Sequence, residues 1–230
     1  MRRLPSIDRQ TCLRWAVLLL SLAVFSPLDA QTVVRDTTAL LAGVPGHALG
    51  GAALVSALRR GGYVLVMRHA SSPRTLPGKN AADPDNTQLE RQLDDQGRSQ
   101  AQAMGEALRK LRIPIGDVWS SPTHRARLTA KLAGFVNAKA VPELGEAGQG
   151  MQADTDARRA AWLRSKAAEP PRAGANTVII THVPNILGAF GQTYAGLGDG
   201  DTLVFRPDGK GGAAFVAHVK CADWPQLAAQ

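Results

Sequence analysis

Apolar positions along the chain change their period from segment to segment, and the periods predict alternating helices and strands. Leu54, Val55 and Leu58 share one helical face, which predicts a helix over Ala52–Arg60 stopped by Gly61-Gly62. Tyr63 to Met67 is a continuous apolar run between turn signals, the pattern of a strand covered on both faces. Ser71 to Glu90, rich in Pro, Asn, Asp and Lys, reads as a surface loop. Asp94 is a suitable N-cap for a helix carrying Ala101, Met104, Leu108 and Leu111 at helical spacing. Pro114 and Gly116 close that segment, and Asp117–Ser120 predicts a short strand. Ser121-Pro122 then reads as an N-cap followed by proline at the first helical position, with the helix running to about Ala133. A strand near Lys139–Val141, a Gly-rich loop over 145–150, a helix over Asp154–Ala167 and a turn at Pro170–Gly174 follow. Thr177–Ile180 is a second wholly apolar strand. Leu203–Arg206 and Ala213–Val219 predict a hairpin across Asp208–Gly212. Strands alternating with helices imply an α/β sandwich with a mainly parallel sheet. No internal repeat interrupts it.

The first thirty residues stand apart. Arg2, Arg3, Arg9 and Arg14 precede an apolar run from Trp15 to Phe25, and Ser26-Pro27-Leu28-Asp29-Ala30 ends on a small residue. This is the layout of a secretory signal peptide cleaved near Ala30. The run is shorter than the ~20 residues of a membrane-spanning helix. An uncleaved anchor is the other reading, since Leu28 is bulky for a position three places from the cut. Either way the body of the protein is expected in the periplasm or outside the cell. The reading therefore divides the chain into signal peptide (1–30), lead-in (31–50) and one domain (51–230), with no stable membrane span once the signal is removed.

Composition narrows the function classes. With 44% hydrophobic residues but only 5% aromatic, the core must be aliphatic. The net charge of +8 is compatible with an anionic partner. The cations form no long run and no aromatics interleave with them, which argues against nucleic acid. Only Cys221 remains after the signal, so neither an intramolecular disulfide nor a multi-cysteine metal site is available.

Two apolar strands each end in a histidine, Arg68-His69-Ala70 and Thr181-His182-Val183. In open α/β sheets the ligand site lies beyond the carboxyl ends of the strands, so both face one region. Arg125 lies in the first turns of a helix that starts at the same edge, where free backbone N–H groups favour anions. Arg68 and Arg125 can grip phosphate oxygens bidentately, His69 can attack phosphorus, and His182 can donate a hydrogen bond.

Four blocks in order carry a resemblance: Arg68-His69-Ala70, Leu93-x-x-x-Gly97-x-x-Gln100-Ala101, Ser120-Ser121-Pro122-x-x-Arg125-Ala126-x-x-Thr129-Ala130, and Thr181-His182. Over roughly Tyr63 to Phe190 the chain resembles the histidine phosphatase superfamily, with its phosphoglycerate-mutase-like fold, a three-layer sandwich. The resemblance implies that His69 is phosphorylated during turnover and that Arg68, Arg125 and His182 bind the phosphoryl group. It also implies a carboxylic acid that protonates the leaving oxygen, and neither metal nor cofactor. Pro142-Glu143-Leu144-Gly145-Glu146 offers two acids; the Leu-x-Glu spacing favours Glu146, with Glu143 as the alternative.

Two departures matter. Ala70 stands where the family usually has glycine, and Val183 where the acid phosphatases and phytases carry aspartate. The expected activity is hydrolysis of a phosphorylated small molecule or an envelope-attached phosphate. A phosphate-binding relative with weak catalysis, a phosphohistidine protein phosphatase and a binder of anionic polymer stay open as alternatives.

Expression in a secreting host should yield a chain beginning at Gln31; N-terminal sequencing that returns Met1 would identify an anchor instead.

Overall fold

A computed structural model of the protein describes residues 49–74, 90–146 and 153–229. The signal peptide read over 1–30 and nearly all of the lead-in lie outside the described residues, as do most of the Ser71–Glu90 loop and the tip of the Gly-rich loop. In chain order the elements are α1 (Gly51–Arg60), β1 (Val64–Arg68), α2 (Asp95–Lys110), β2 (Ile115–Ser120), α3 (His124–Leu132), β3 (Lys139–Ala140) and α4 (Ala153–Ala168). They continue with β4 (Asn176–Thr181), α5 (Val183–Phe190), β5 (Thr202–Pro207), β6 (Ala213–Val219) and α6 (Asp223–Leu227). Short 3-10 turns occupy Pro142–Leu144 and Gln192–Tyr194.

The six strands form one sheet in the order β3-β2-β4-β1-β5-β6. The first four are parallel neighbours, whereas β5 runs antiparallel to both β1 and β6. This is the mainly parallel α/β sandwich expected from the alternation of elements. Side chains of β1 alternate between two cores: Leu65 and Met67 pack with α1, α2, α3 and α6 residues, while Val64 and Val66 pack with α4 and α5 residues. Val178 and Ile180 of β4 share the first core, and Ile179 the second. The continuous apolar runs thus have a direct cause, since a strand covered on both faces has no polar side. Each fully buried Leu, Ile or Val in these runs contributes roughly 1.5–3 kcal/mol.

Several boundaries differ from expectation. β2 begins at Ile115, two residues earlier, and its register against β4 shifts between Ile115 and Val118; Gly116 sits in that irregularity rather than before the strand. Ser121-Pro122 does not start α3. Thr123 is the N-cap, and the first helical residue is His124. The Ser121 hydroxyl is engaged elsewhere, accepting from Thr123 N and lying 2.8 Å from His182 Nε2. The far end of the Ser71–Glu90 loop is not on the surface, for Glu90 is buried, as is Ser72 at the near end. α5 and α6, which the periodicity did not suggest, are short; Trp224 of α6 is fully enclosed.

One sequence block receives a steric explanation. Asp94 caps α2 by accepting from Gly97 N at 2.7 Å, while the Ser71 backbone crosses directly over Gly97. A Cβ at Gly97 would stand 2.1 Å from the Ser71 carbonyl oxygen, a backbone atom that cannot swing aside. Gly97→Ala is expected to destabilise by about 1–3 kcal/mol, lowering Tm by roughly 3–10 °C. Gly196→Ala, where no atom lies within 4 Å, should melt with the wild type in the same calorimetric scan.

Candidate active site

Three adjacent parallel strands, β2, β4 and β1, deliver their carboxyl ends to one place. The ladder continues one residue past each strand: His69 N donates to Thr181 O, and Ser121 N donates to Ile180 O. His69 and His182 are thereby brought side by side, with ring centroids 5.1 Å apart in an edge-on arrangement. Arg125 enters from the first turn of α3. Its Nε lies 3.3 Å from His69 Nε2, and its Nη2 lies 3.3 Å from His182 Nδ1. All three side chains are almost wholly enclosed, at 3%, 1% and 3% exposure for His69, His182 and Arg125.

The hydrogen-bond partners dictate the tautomers. His69 Nδ1 is 2.8 Å from the Ala70 carbonyl oxygen, which can only accept, so Nδ1 carries the proton. The lone pair of His69 is left on Nε2, facing Arg125. Arginine can only donate, so His182 Nδ1 is likewise an acceptor, and His182 Nε2–H points at the Ser121 hydroxyl. Burial, reinforced by Arg125, pushes His69 down from its usual 6.5 to about 3. Burial, then His69 and Arg125, holds His182 well below its usual value. Both rings are neutral at physiological pH.

Threonine and asparagine side chains brace this arrangement. Thr129 Oγ1 accepts from Ala70 N at 3.1 Å and donates to Arg125 O at 2.8 Å, tying the β1 terminus to α3. Asn185 Nδ2 donates to Gly145 O and Thr181 Oγ1, and Thr181 Oγ1 donates to Leu144 O. Arg159 Nη1 donates to Glu146 O. The segment bearing Glu146 is therefore clasped from β4, α5 and α4.

Of the two candidate acids, the fold brings Glu146 into the cluster. Its Oε2 lies 2.6 Å from Arg125 Nη2 and its Oε1 lies 3.7 Å from Arg91 Nη1. Glu143 instead lines a separate recess with Pro142, Arg158 and Arg159. Arg68 is at the rim, with Nη1 donating to Leu197 O at 2.8 Å and Nη2 paired with Asp199 Oδ1 at 2.7 Å.

Three site residues escaped the reading of the sequence. Arg91 is held by donating Nη2 to Ser72 O and Nε to Pro73 O, which aims its remaining N–H groups toward Glu146. Glu90, fully buried, accepts from the backbone N–H of His124 at the start of α3. Asp199 is the partner of Arg68, and burial raises the pKa of its carboxyl. The Glu90-Arg91 doublet directly before the Leu93–Gly97 block was the one available signal. Asp199 lies between Gly198 and Gly200, outside every block that carries the family spacing. Among the described residues, no group of three or more His, Cys, Asp or Glu gathers as metal ligands. No helix among them is long and apolar enough to cross a membrane.

The central sheet thus presents two histidines and an arginine side by side at the carboxyl ends of its parallel strands, with two further arginines close by. The family model for the histidine phosphatase superfamily (branch 1) matches residues 64–181, just over half of the chain. The chain belongs to that superfamily, and it is a phosphatase of the histidine type. No curated protein sequence matches it. Among solved structures, it is similar to a candidate alpha-ribazole-5'-P phosphatase from Escherichia coli, with 15% identity and a TM-score of 0.53 over 69% of this chain and 97% of that one. It is also similar to the protein histidine phosphatase SixA complexed with tungstate (20%, TM-score 0.49, 70% and 98%). A phosphoserine phosphatase from Entamoeba histolytica in complex with 3-phosphoglyceric acid is similar at 17%, TM-score 0.48, 68% and 95%. At such identities the likeness concerns the fold.

The neutral buried histidines set a pH dependence. In the unfolded chain each ring protonates near 6.5, whereas in the folded protein His69 resists protonation until about pH 3. The unfolded state therefore binds more protons as the pH falls below 6.5. Stability should be at its full value above that pH and decline toward pH 3, by about 1.4 kcal/mol per pH unit for each such ring. Urea denaturation at stepped pH should show this slope, and His69→Asn should make it shallower.

Proposed function

We propose that the chain is an exported phosphomonoesterase that works without a metal through a phosphohistidine on His69. The observation that carries this reading is the His69 ring itself. Its Nδ1 is committed to the Ala70 carbonyl, and its lone pair is presented on Nε2 beside the Arg125 guanidinium. A neutral, oriented imidazole next to a fixed cation is what in-line attack on a phosphoryl group requires.

In this reading the phosphoryl oxygens take up the N–H groups of Arg125 and Arg68, with Arg91 adding a third guanidinium. Catalysis by such a site is largely positioning and charge stabilisation. His182 Nδ1 accepts from Arg125 in the free protein; a phosphate ester arriving as its monoanion hands its own proton to Nδ1, and the resulting imidazolium donates back to the phosphoryl oxygen. His69 Nε2 forms the bond to phosphorus as the bond to the leaving oxygen breaks, and that oxygen takes its electron pair and a proton from Glu146. Glu146 then accepts a proton from water, whose oxygen attacks phosphorus. The P–N bond breaks, restoring His69 and releasing inorganic phosphate. For this to occur, the phosphoryl oxygens must displace the Glu146 carboxylate from Arg125, and the displaced carboxylate must take up a proton from solvent before it faces the leaving group. Glu143, in its separate recess, has no part in these steps.

Export rests on the signal-like arrangement of Arg2 to Ala30, and it favours a small or envelope-attached phosphate ester as substrate.

The mature protein should hydrolyse p-nitrophenyl phosphate in EDTA. His69→Ala should abolish the activity, and quenching in alkali, where the P–N bond survives, should trap 32P from a labelled phosphate ester on the wild type but not on the variant. Glu146→Gln should lower kcat by about 100-fold or more, while Glu143→Gln should leave it near wild type. Equal loss in the two glutamate variants would overturn the assignment of the acid.

A further inference from the structure

We infer that Glu90 is a positioning residue for the phosphoryl site, its buried carboxylate anchoring the first turn of α3 and thereby the guanidinium of Arg125. The inference rests on the reading of Arg125 as a phosphoryl-binding group.

Helix α3 begins without help from its own cap. The first N–H groups of a helix need acceptors, yet the Thr123 side chain makes no capping bond. The Thr123 hydroxyl instead accepts from Ser121 Oγ at 3.1 Å and lies 3.4 Å from His182 Nε2, so the site has drawn it away. The missing acceptor comes from 34 residues earlier in the chain, where Glu90 Oε2 takes the His124 N–H. His124 immediately precedes Arg125. A shift of the first turn would move the Arg125 side chain relative to both histidines.

The anchor is itself fixed to the β1 terminus. Asp94 N donates to Ser71 O, Ser71 Oγ donates to Asp94 Oδ2, Ser72 Oγ donates to Gln92 O, and Arg91 donates to the Ser72 and Pro73 carbonyls. The 90–94 segment is therefore a strut between the residues that follow His69 and the residue that precedes Arg125. Of two adjacent residues, Arg91 is turned into the cradle and Glu90 under the helix. A carboxylate is well suited there, because it accepts strongly and complements the positive end of the helix.

The test uses Glu90→Ala and Glu90→Gln in the full chain, with Val55→Ala on α1 as a destabilised control away from the site. Three quantities are read: kcat and KM for p-nitrophenyl phosphate, the affinity for inorganic phosphate by calorimetry, and the 15N shifts of the His69 and His182 ring nitrogens without ligand. In Glu90→Ala, kcat/KM should fall on the order of 10- to 100-fold, the scale expected for an ångström of misplacement. Phosphate affinity should fall with it, and the His69 Nε2 and His182 Nδ1 shifts should move as Arg125 leaves them. Glu90→Gln keeps a neutral acceptor for the His124 N–H and should be intermediate, about threefold below wild type.

Unchanged ring shifts and phosphate affinity in Glu90→Ala would overturn the inference, as would an equal loss of activity in Val55→Ala at matched Tm. If Glu90→Ala does not fold, Glu90→Gln decides, and wild-type values in it would overturn the inference. A wild type that neither hydrolyses the ester nor binds phosphate would sink the phosphatase reading of the site, while the ring shifts would still decide whether Glu90 holds Arg125.

Discussion

Arg125 carries a full positive charge into a place where only 3% of its side chain meets solvent, and much of the surrounding structure answers that charge. A buried guanidinium is tolerated only when it is paired and hydrogen-bonded. Its partners are the Glu146 carboxylate and the lone pairs of two histidines. The same charge disfavours protonation of His69 and His182, so the rings remain acceptors. The Arg125 carbonyl, through Thr129, reaches back to Ala70 beside His69. Position, tautomer and ionisation are therefore not independent features of this site.

The sheet makes such a cluster possible without local strain. Placing β4 between β2 and β1 sets His182 between the Ser121 and His69 ends with no special backbone conformation at the three strand ends. The side chains that read as mere turn or cap formers do structural work across elements. Ser121, read as a cap, serves His182 rather than its own helix, and Asn185 donates to the Gly145 carbonyl on another segment. Local preference yields wherever a buried polar group elsewhere would be left without a partner.

That rule also separates what the sequence disclosed from what it hid. Strands β1 and β4 were legible because burial on both faces leaves continuous apolar runs, and their terminal histidines followed from the geometry of parallel sheets. Arg125 was legible because its neighbours keep a family spacing. Glu90, Arg91 and Asp199 were not, because their partners lie on other segments: His124 for Glu90, Ser72 and Pro73 for Arg91, Arg68 for Asp199. The Leu-x-Glu spacing favoured Glu146 over Glu143, and the fold places Glu146 beside Arg125 while Glu143 lines a separate recess. The misread start of α3, like the three hidden residues, traces to a partner on another segment, since a serine followed by proline caps a helix only if nothing else claims the serine.

The position of β1 in the sheet also bears on how the protein is made. Both its neighbours, β4 and β5, come from the last third of the chain, so β1 waits unpaired while more than a hundred residues are added. Contacts between such distant segments form slowly. A chain emerging from the ribosome, N-terminus first, therefore has its Arg68-His69 pair early but lacks His182 until β4 is complete. The buried cluster of His69, Arg125 and His182 is assembled only once one of the last strands has been made.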